Sequence, residues 1–311
     1  MSRLEKQLSN YGIPRKIVTT VNFNSGHIEQ REFDEFDVDR ISGLENKALV
    51  SFEEALKQES LGIYVYEAKY DTIKLFHRFM TADVANSLEH LTKNKYAGPY
   101  FKSLTKQQQE YLETNEINWL DVGCHAGSFG NMVLKMFPNH KCLFLDGMQV
   151  NVSLAEASSK LNDIHDRSLF VDSFYGAVVG NEFNDSTVTM HATYRTTGNA
   201  GIYPHPTRLQ FKVPALNFEQ VVRDHDITAV KLDVEGAEYE IITEANELSE
   251  LQFLFLEYHI VPEDGELKIR ERYSVVYEKL ISEFDSVIGI TPDEIGKNRS
   301  IKQHVLCCNV N

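Results

Sequence analysis

Asn118-Trp119-Leu120-Asp121-Val122-Gly123-Cys124-His125-Ala126-Gly127-Ser128-Phe129-Gly130 begins as an apolar strand and ends as the first turn of a helix. Between them, Gly123 and Gly127 let the backbone bend sharply and approach a ligand with no Cβ in the way. The helix behind the turn offers free N–H groups and the positive end of its dipole, which suit a carboxylate or a phosphate. Pro138 helps to stop that helix. A dinucleotide fingerprint reads G-x-G-x-x-G. Here His125 holds the middle position, so Gly123, Gly127 and Gly130 do not provide the close approach to a pyrophosphate. Glycines at a strand-to-helix turn also serve packing alone, and the turn by itself leaves both readings open.

Downstream, short apolar runs alternate with helix-like segments, the signature of a parallel sheet covered by helices. KCLFL (141–145) is the second strand and VSLAEASSKLN (152–162) the second helix. SLFVDSFYGAVVG (168–180) reads as one third strand bent at Gly176, just before Ala177. TAVKLDV (228–234) is the fourth strand, AEYEIITEANEL (237–248) a helix and LQFLFLEYHI (251–260) the fifth strand. SVVYEKLISEF (274–284) is a further helix, and strands near SVIGI and HVLCC close the set. The second strand ends in Asp146-Gly147-Met148, about twenty residues after the glycine turn. An acid at that place can accept both hydroxyls of a ribose. A solvated acid at a strand end is the plain alternative.

Upstream the texture changes, and residues 1–113 read as an added α+β module in front of a domain at 114–311. SFEEALKQES (51–60), DTIKLFHRFMTADVANSLEHLTKN (71–94) and TKQQQEYLETN (105–115) look helical. KIVTTVNFNSG, HIEQREFDEFDV and LGIYVYEAKY look extended. The stripe Ile73, Phe76, Met80 and Val84 reads as a packing face, with a cofactor or lid role as the alternative, and the module as a whole is expected to serve as a lid, a substrate element or an oligomer contact.

Composition limits the partners. The 311 residues carry 31 basic against 46 acidic side chains, a net charge of −15 with no basic run, which disfavours a nucleic-acid substrate. The four cysteines show neither metal-ligand spacing nor a disulfide framework, and Cys307-Cys308 lies in an apolar terminal strand. Without a signal-like leader or a membrane-length apolar run, the expected location is the cytoplasm.

Val230-Lys231-Leu232-Asp233-Val234-Glu235-Gly236-Ala237-Glu238 is the sharpest signal in the chain. Period two would set Lys231, Asp233 and Glu235 on one side of a strand. Burying them without partners is costly, which places them at the strand's carboxyl end, the edge where open α/β sheets bind ligands. This run resembles the K-x-D-x-E-G-x-E hallmark of the FkbM family of S-adenosylmethionine (SAM)-dependent methyltransferases. The resemblance extends over roughly residues 114 to 310, through the D-x-G-x-x-x-G turn and Glu257-Tyr258-His259.

The resemblance implies a doubly wound, Rossmann-like sheet, mostly parallel with an antiparallel last strand. It implies SAM as cofactor and methyl transfer to a hydroxyl of a sugar, polyketide or other small metabolite. Asp121, Gly123, His125, Gly127, Asp146, Gly147, Met148, Gly176 and Ala177 become the candidate cofactor residues. The family often has Glu-Pro where this chain has Asp146-Gly147, and residues 1–110 have no recognised counterpart. Asp233, Glu235, Glu257 and His259 at the tips of strands four and five are the candidate acid/base or orienting groups. His259 has the intrinsic pKa of a base near neutrality, and Glu257 shares its side of the strand. Asp233, Glu257 and His259 would also suit Mg²⁺ or Mn²⁺, and a purely structural ion-pair network is a third possibility. Tyr194, Arg195, His205 and Arg208 in a polar loop are candidate acceptor contacts. A nicotinamide-dependent oxidoreductase and a non-catalytic SAM-binding protein remain as alternative functions, and a homo-oligomer is compatible with the added module.

Overall fold

The computed structural model describes residues 18–22, 27–31, 61–67, 72–78, 83, 86–87 and 91. From 103 to 310 it describes all but 170–175, 193–199, 204–208, 261–265 and 296–301. The central sheet has seven strands: β5 (Asn118–Val122), β6 (Lys141–Leu145), β7 (Ser168–Leu169), β11 (Ala229–Leu232), β12 (Phe253–His259), β13 (Ser286–Gly289) and β14 (Lys302–Cys308). Their order across the sheet is β13-β14-β12-β11-β5-β6-β7. The ladders from β12 to β7 are parallel, whereas β14 runs antiparallel to both β12 and β13. The doubly wound reading therefore holds, with β5 and β11 adjacent at the point where the strand order reverses.

Alternate residues of each strand feed opposite faces, as a two-residue period requires. Trp119, Phe253 and Phe255 join one core with Phe129 and Phe144, and Leu120, Leu254 and Leu256 join the other with Ile241, Tyr273 and Leu280. On the first face lie α1 (Lys106–Thr114), α2 (Ser128–Met136) and α3 (Gln149–Leu161). The indole of Trp119 meets Phe129 and Phe255 edge-on, with centroids 5.6 and 5.3 Å apart. On the second face lie α4 (Phe218–Asp224), α5 (Glu238–Glu244) and α6 (Glu266–Glu283). All four cysteines are buried and free.

Two expectations change. The third strand is not one bent strand. Its start, β7, ends the central sheet, and its end, β8 (Ala177–Val179), joins a separate sheet of order β8-β10-β9 with β9 (Thr187–Ala192) and β10 (Leu209–Asn217). The second change lies upstream. The segment from residue 71, read as helical, contains β4 (Thr72–Arg78), paired antiparallel along its whole length with β3 (Leu61–Glu67). Cross-strand pairing there overrides a pattern that fits both periods. β3 in turn pairs with β1 (Val18–Asn22), which pairs with β2 (His27–Arg31), as the extended reading of those segments expects. Of the apolar stripe, Ile73 and Phe76 are buried, while Met80 and Val84 lie outside the described residues. The helix expected at 51–60 lies outside them too.

Candidate active site

The glycine turn closes against β11. Gly123 and Gly127 have φ of +72° and +78°, where a side chain is strained. A Cβ on Gly123 would strike the carbonyl of Asp233, and one on Gly127 would come within 2.6 Å of the Ala155 Cβ on α3. The turn is therefore a tight cradle with no room for side chains beneath it.

Lys231 holds it in place. Its buried ammonium donates to the carbonyls of Val122 (3.1 Å) and Gly123 (2.8 Å) and lies 3.3 Å from Asp121 and 3.6 Å from Asp233. Burial alone would depress the ammonium, but Asp121 and Asp233 overcome it and hold Lys231 above the ordinary lysine value. Asp121 is likewise buried and accepts the Gly130 N–H at 3.1 Å, pinning the start of α2 beneath the turn. Lys231 thus ties the turn to β11, where the sequence pattern showed only a charge at a strand end.

Asp146 stands at the tip of β6. One oxygen accepts the backbone N–H of His125 (3.0 Å); the other accepts from the Met148 N–H (2.8 Å) and the Asn151 side chain (3.0 Å). Burial pushes its carboxyl up, against those hydrogen bonds. Three donors leave about one of the roughly four acceptor positions of a carboxylate for a ligand. Gly147 packs under Met190, and the Gly176 N–H donates to the Asp146 carbonyl at 2.9 Å, leading into Ala177. The nine candidate cofactor residues thus collect at one edge of β5 and β6.

The acids of the strand-four motif gather around His259. Its Nε2 lies 3.5 Å from Glu257, 3.6 Å from Glu235 and 3.8 Å from Asp233. Its Nδ1 is 2.8 Å from Glu238. Glu238, fully buried, also accepts the N–H groups of Val234 (3.0 Å) and Gly236 (2.9 Å), so it shapes the turn and orients the imidazole together. Glu238 was not among the candidate site residues, although its place as the last acid of the hallmark was the available signal. Burial alone would lower the His259 pKa, but Glu238, Glu257 and Glu235 outweigh it and raise it well above the ordinary value. Among the described residues, Asp233, Glu235 and His259 can bring ligand atoms within 4.8 Å of one another; this set holds Glu235 where the expected metal set held Glu257.

Glu235 sits at φ +56°, and a Cβ on Gly201 would lie 2.8 Å from its carbonyl. The loop between β9 and β10 thus returns over the acidic turn. Tyr203 is tied there by Glu240 (3.2 Å) and Arg272 (3.1 Å). Tyr194, Arg195, His205 and Arg208 lie outside the described residues.

Residues 121–288 match the Methyltransferase FkbM domain. No curated protein matches the chain. Among solved structures it is similar to an O-methyltransferase family 2 protein from Planctomyces limnophilus in complex with apigenin, at 14% identity and TM-score 0.33. That match covers 69% of this chain, which spans 56% of the other. It is also similar to M. capricolum TrmK in complex with S-adenosyl-homocysteine, at 10% identity and TM-score 0.32, covering 66% of this chain and 69% of that one. A third is spermidine synthase from Thermotoga maritima, at 10% identity and TM-score 0.35, covering 80% and 69%. Since the domain match takes in the glycine turn, the Lys231–Glu238 run and all or part of six of the seven central strands, this chain belongs to the FkbM family of SAM-dependent methyltransferases.

Proposed function

We propose that the protein transfers a methyl group from SAM to a hydroxyl oxygen of a sugar or other small metabolite. The sharp turn at Gly123 and Gly127, packed against Asp233 and Ala155, suits the methionine end of the cofactor, and the remaining acceptor position of Asp146 suits its ribose. SAM supplies an already activated methyl group, so the protein has to align the acceptor, exclude water and take up the hydroxyl proton. The observation that carries this reading is the join between turn and acids: the Asp233 N–H donates to the Val122 carbonyl at 3.2 Å, directly beside Gly123. Of the four carboxylates around His259, Asp233 and Glu235 keep 16% and 26% of their side chains exposed, against 0% and 1% for Glu238 and Glu257. Asp233 and Glu235 are therefore the proton acceptors in this proposal, with the loop through Tyr203 and the N-terminal module shaping the acceptor pocket. The net charge of −15 favours a small acceptor over a nucleic acid.

Metabolite and oligosaccharide pools incubated with protein and SAM should yield a product heavier by one methylene. Asp233→Asn and Glu235→Gln should each lower kcat about 100-fold, within the range for a lost general base, while binding of S-adenosylhomocysteine is retained. Undiminished turnover in both variants would move the proton acceptor elsewhere. NAD binding without SAM binding would favour the oxidoreductase.

A divalent cation at the same acids is the second reading. The Nε2 of His259 is buried and faces the carboxylates of Asp233, Glu235 and Glu257 while Glu238 holds Nδ1, an arrangement common for ligating histidines. An oxygen-rich set with one imidazole suits Mg²⁺ or Mn²⁺. Activity that persists after exhaustive EDTA treatment would dismiss the cation.

A further inference from the structure

β4 and Asp83 lie outside the family match, yet they reach the cofactor turn. β4 is the edge of its sheet, and α3 caps backbone groups along it. The Phe76 N–H donates to Ser158 Oγ (3.0 Å) and the Lys74 N–H to Asn162 Oδ1 (2.9 Å), while Asn162 Nδ2 donates to the Lys74 carbonyl (2.6 Å). This docking delivers Arg78 at the strand's end. Arg78 closes a two-pronged grip on Asp83, Nε to Oδ2 at 2.9 Å and Nη2 to Oδ1 at 2.7 Å, and its backbone N–H adds a third bond at 2.9 Å. Both side chains are buried.

Two branches lead from this pair into the candidate cofactor site. Arg78 Nη2 donates to Asn151 Oδ1 at 3.1 Å, and Asn151 Nδ2 holds Asp146 at 3.0 Å. Asp83 Oδ1 lies 3.0 Å from His125 Nε2, with Arg78 Nη2 farther off at 3.4 Å. The carboxylate is the nearer and the stronger partner, so Nε2 carries the proton and donates it. Burial would raise the Asp83 carboxyl, but the Arg78 guanidinium, together with the hydrogen bond from His125, outweighs it and holds it well below the usual carboxylate range. With the proton on Nε2, Nδ1 is the ring atom left to accept a hydrogen bond. That atom is buried without a hydrogen-bond partner among the described residues, and His125 itself sits at φ +50° between the two turn glycines. An unfilled acceptor on a strained residue inside a ligand turn calls for a donor from the ligand.

We propose that Arg78 and Asp83 are positioning residues that orient His125 so that its Nδ1 accepts a hydrogen bond from the α-ammonium group of SAM. The proposal rests on the reading of this edge as the SAM site. It makes cofactor recognition depend on residues upstream of the methyltransferase domain.

Calorimetric titration of the full-length protein with S-adenosylhomocysteine and with 5′-methylthioadenosine, which lacks the amino-acid end, tests this. Asp83→Asn should raise the Kd for S-adenosylhomocysteine about tenfold, the scale of one charge-assisted hydrogen bond, and leave methylthioadenosine within about twofold. His125→Phe should show the same selectivity, which keeps the proposal testable should Asp83→Asn fail to fold. Equal losses for both ligands, or no loss for S-adenosylhomocysteine in the Asp83 and His125 variants, would overturn the positioning role. A wild-type protein that binds neither ligand would overturn the cofactor assignment itself, and the proposal with it.

Discussion

Lys231 directs its donors inward, to two carbonyls of the β5 tip and toward Asp121 and Asp233. Replacing it with methionine keeps much of the volume but takes from the buried Asp121 the ammonium it is paired with. Breaking a buried pair from one side costs about 3–5 kcal/mol, so Lys231→Met should lower the urea-unfolding free energy by that order. A loss under about 1 kcal/mol would mean that Asp121 is compensated by other groups. The sequence already marked Lys231 as chemically significant, because a lysine among apolar strand residues must find partners. Its partners were not legible: they lie 108 to 110 residues away, at Val122, Gly123 and Asp121, and only the β5–β11 register brings them opposite.

His140 shows the same principle between elements. It precedes β6, and its Nδ1 accepts the Trp119 indole N–H at 3.0 Å while Nε2 reaches the Leu112 carbonyl at 2.8 Å. Leu112 lies in the last turn of α1, where carbonyls lack partners within the helix, so the imidazole closes the end of α1 onto the sheet. Burial holds the His140 pKa down at about 4, below its ordinary 6.5. The unfolded chain therefore binds a proton over the interval that the folded chain refuses. Stability should rise with pH between about 4 and 6.5 and fall by roughly 3 kcal/mol from the top of that window to the bottom. Urea melts at several pH values would show this slope, and His140→Gln should flatten it. An unchanged slope in that variant would assign the acid sensitivity to other groups. Elsewhere, element identity was legible where the apolar period was long, as in α3 and β12. It failed at β4, where Ile73 and Phe76 fit a helical stripe and Ile73 and Leu75 fit a strand; pairing with β3 decided for the strand.

At the scale of the molecule, the N-terminal hairpin and the methyltransferase sheet share one core, since Ile73 and Leu75 cluster with Trp119 and Phe129. A ligand bound at the glycine turn should therefore steady both parts together. Saturation at about 100 times the Kd adds roughly 2.7 kcal/mol to global stability. In hydrogen–deuterium exchange, S-adenosylhomocysteine should slow the amides of Thr72–Arg78 together with those of Ser128–Met136. Slowing confined to the second segment would show that the hairpin opens independently of the glycine turn.

By itself the sequence determined the alternation of strands and helices from Asn118 onward, the glycine turn, and the acidic motif from Lys231 to Glu238. Those features are local: spacing, backbone permissiveness and the cost of burying charge are written within a few residues of one another. Tertiary structure alone decided that the third strand splits between two sheets, that Glu238 holds His259, and that Arg78 and Asp83 meet His125. Each of these depends on groups brought together from distant parts of the chain, 47 residues apart for Arg78 and His125. A buried charge announces that it needs a partner, but only the packed sheet and helices determine which one it receives.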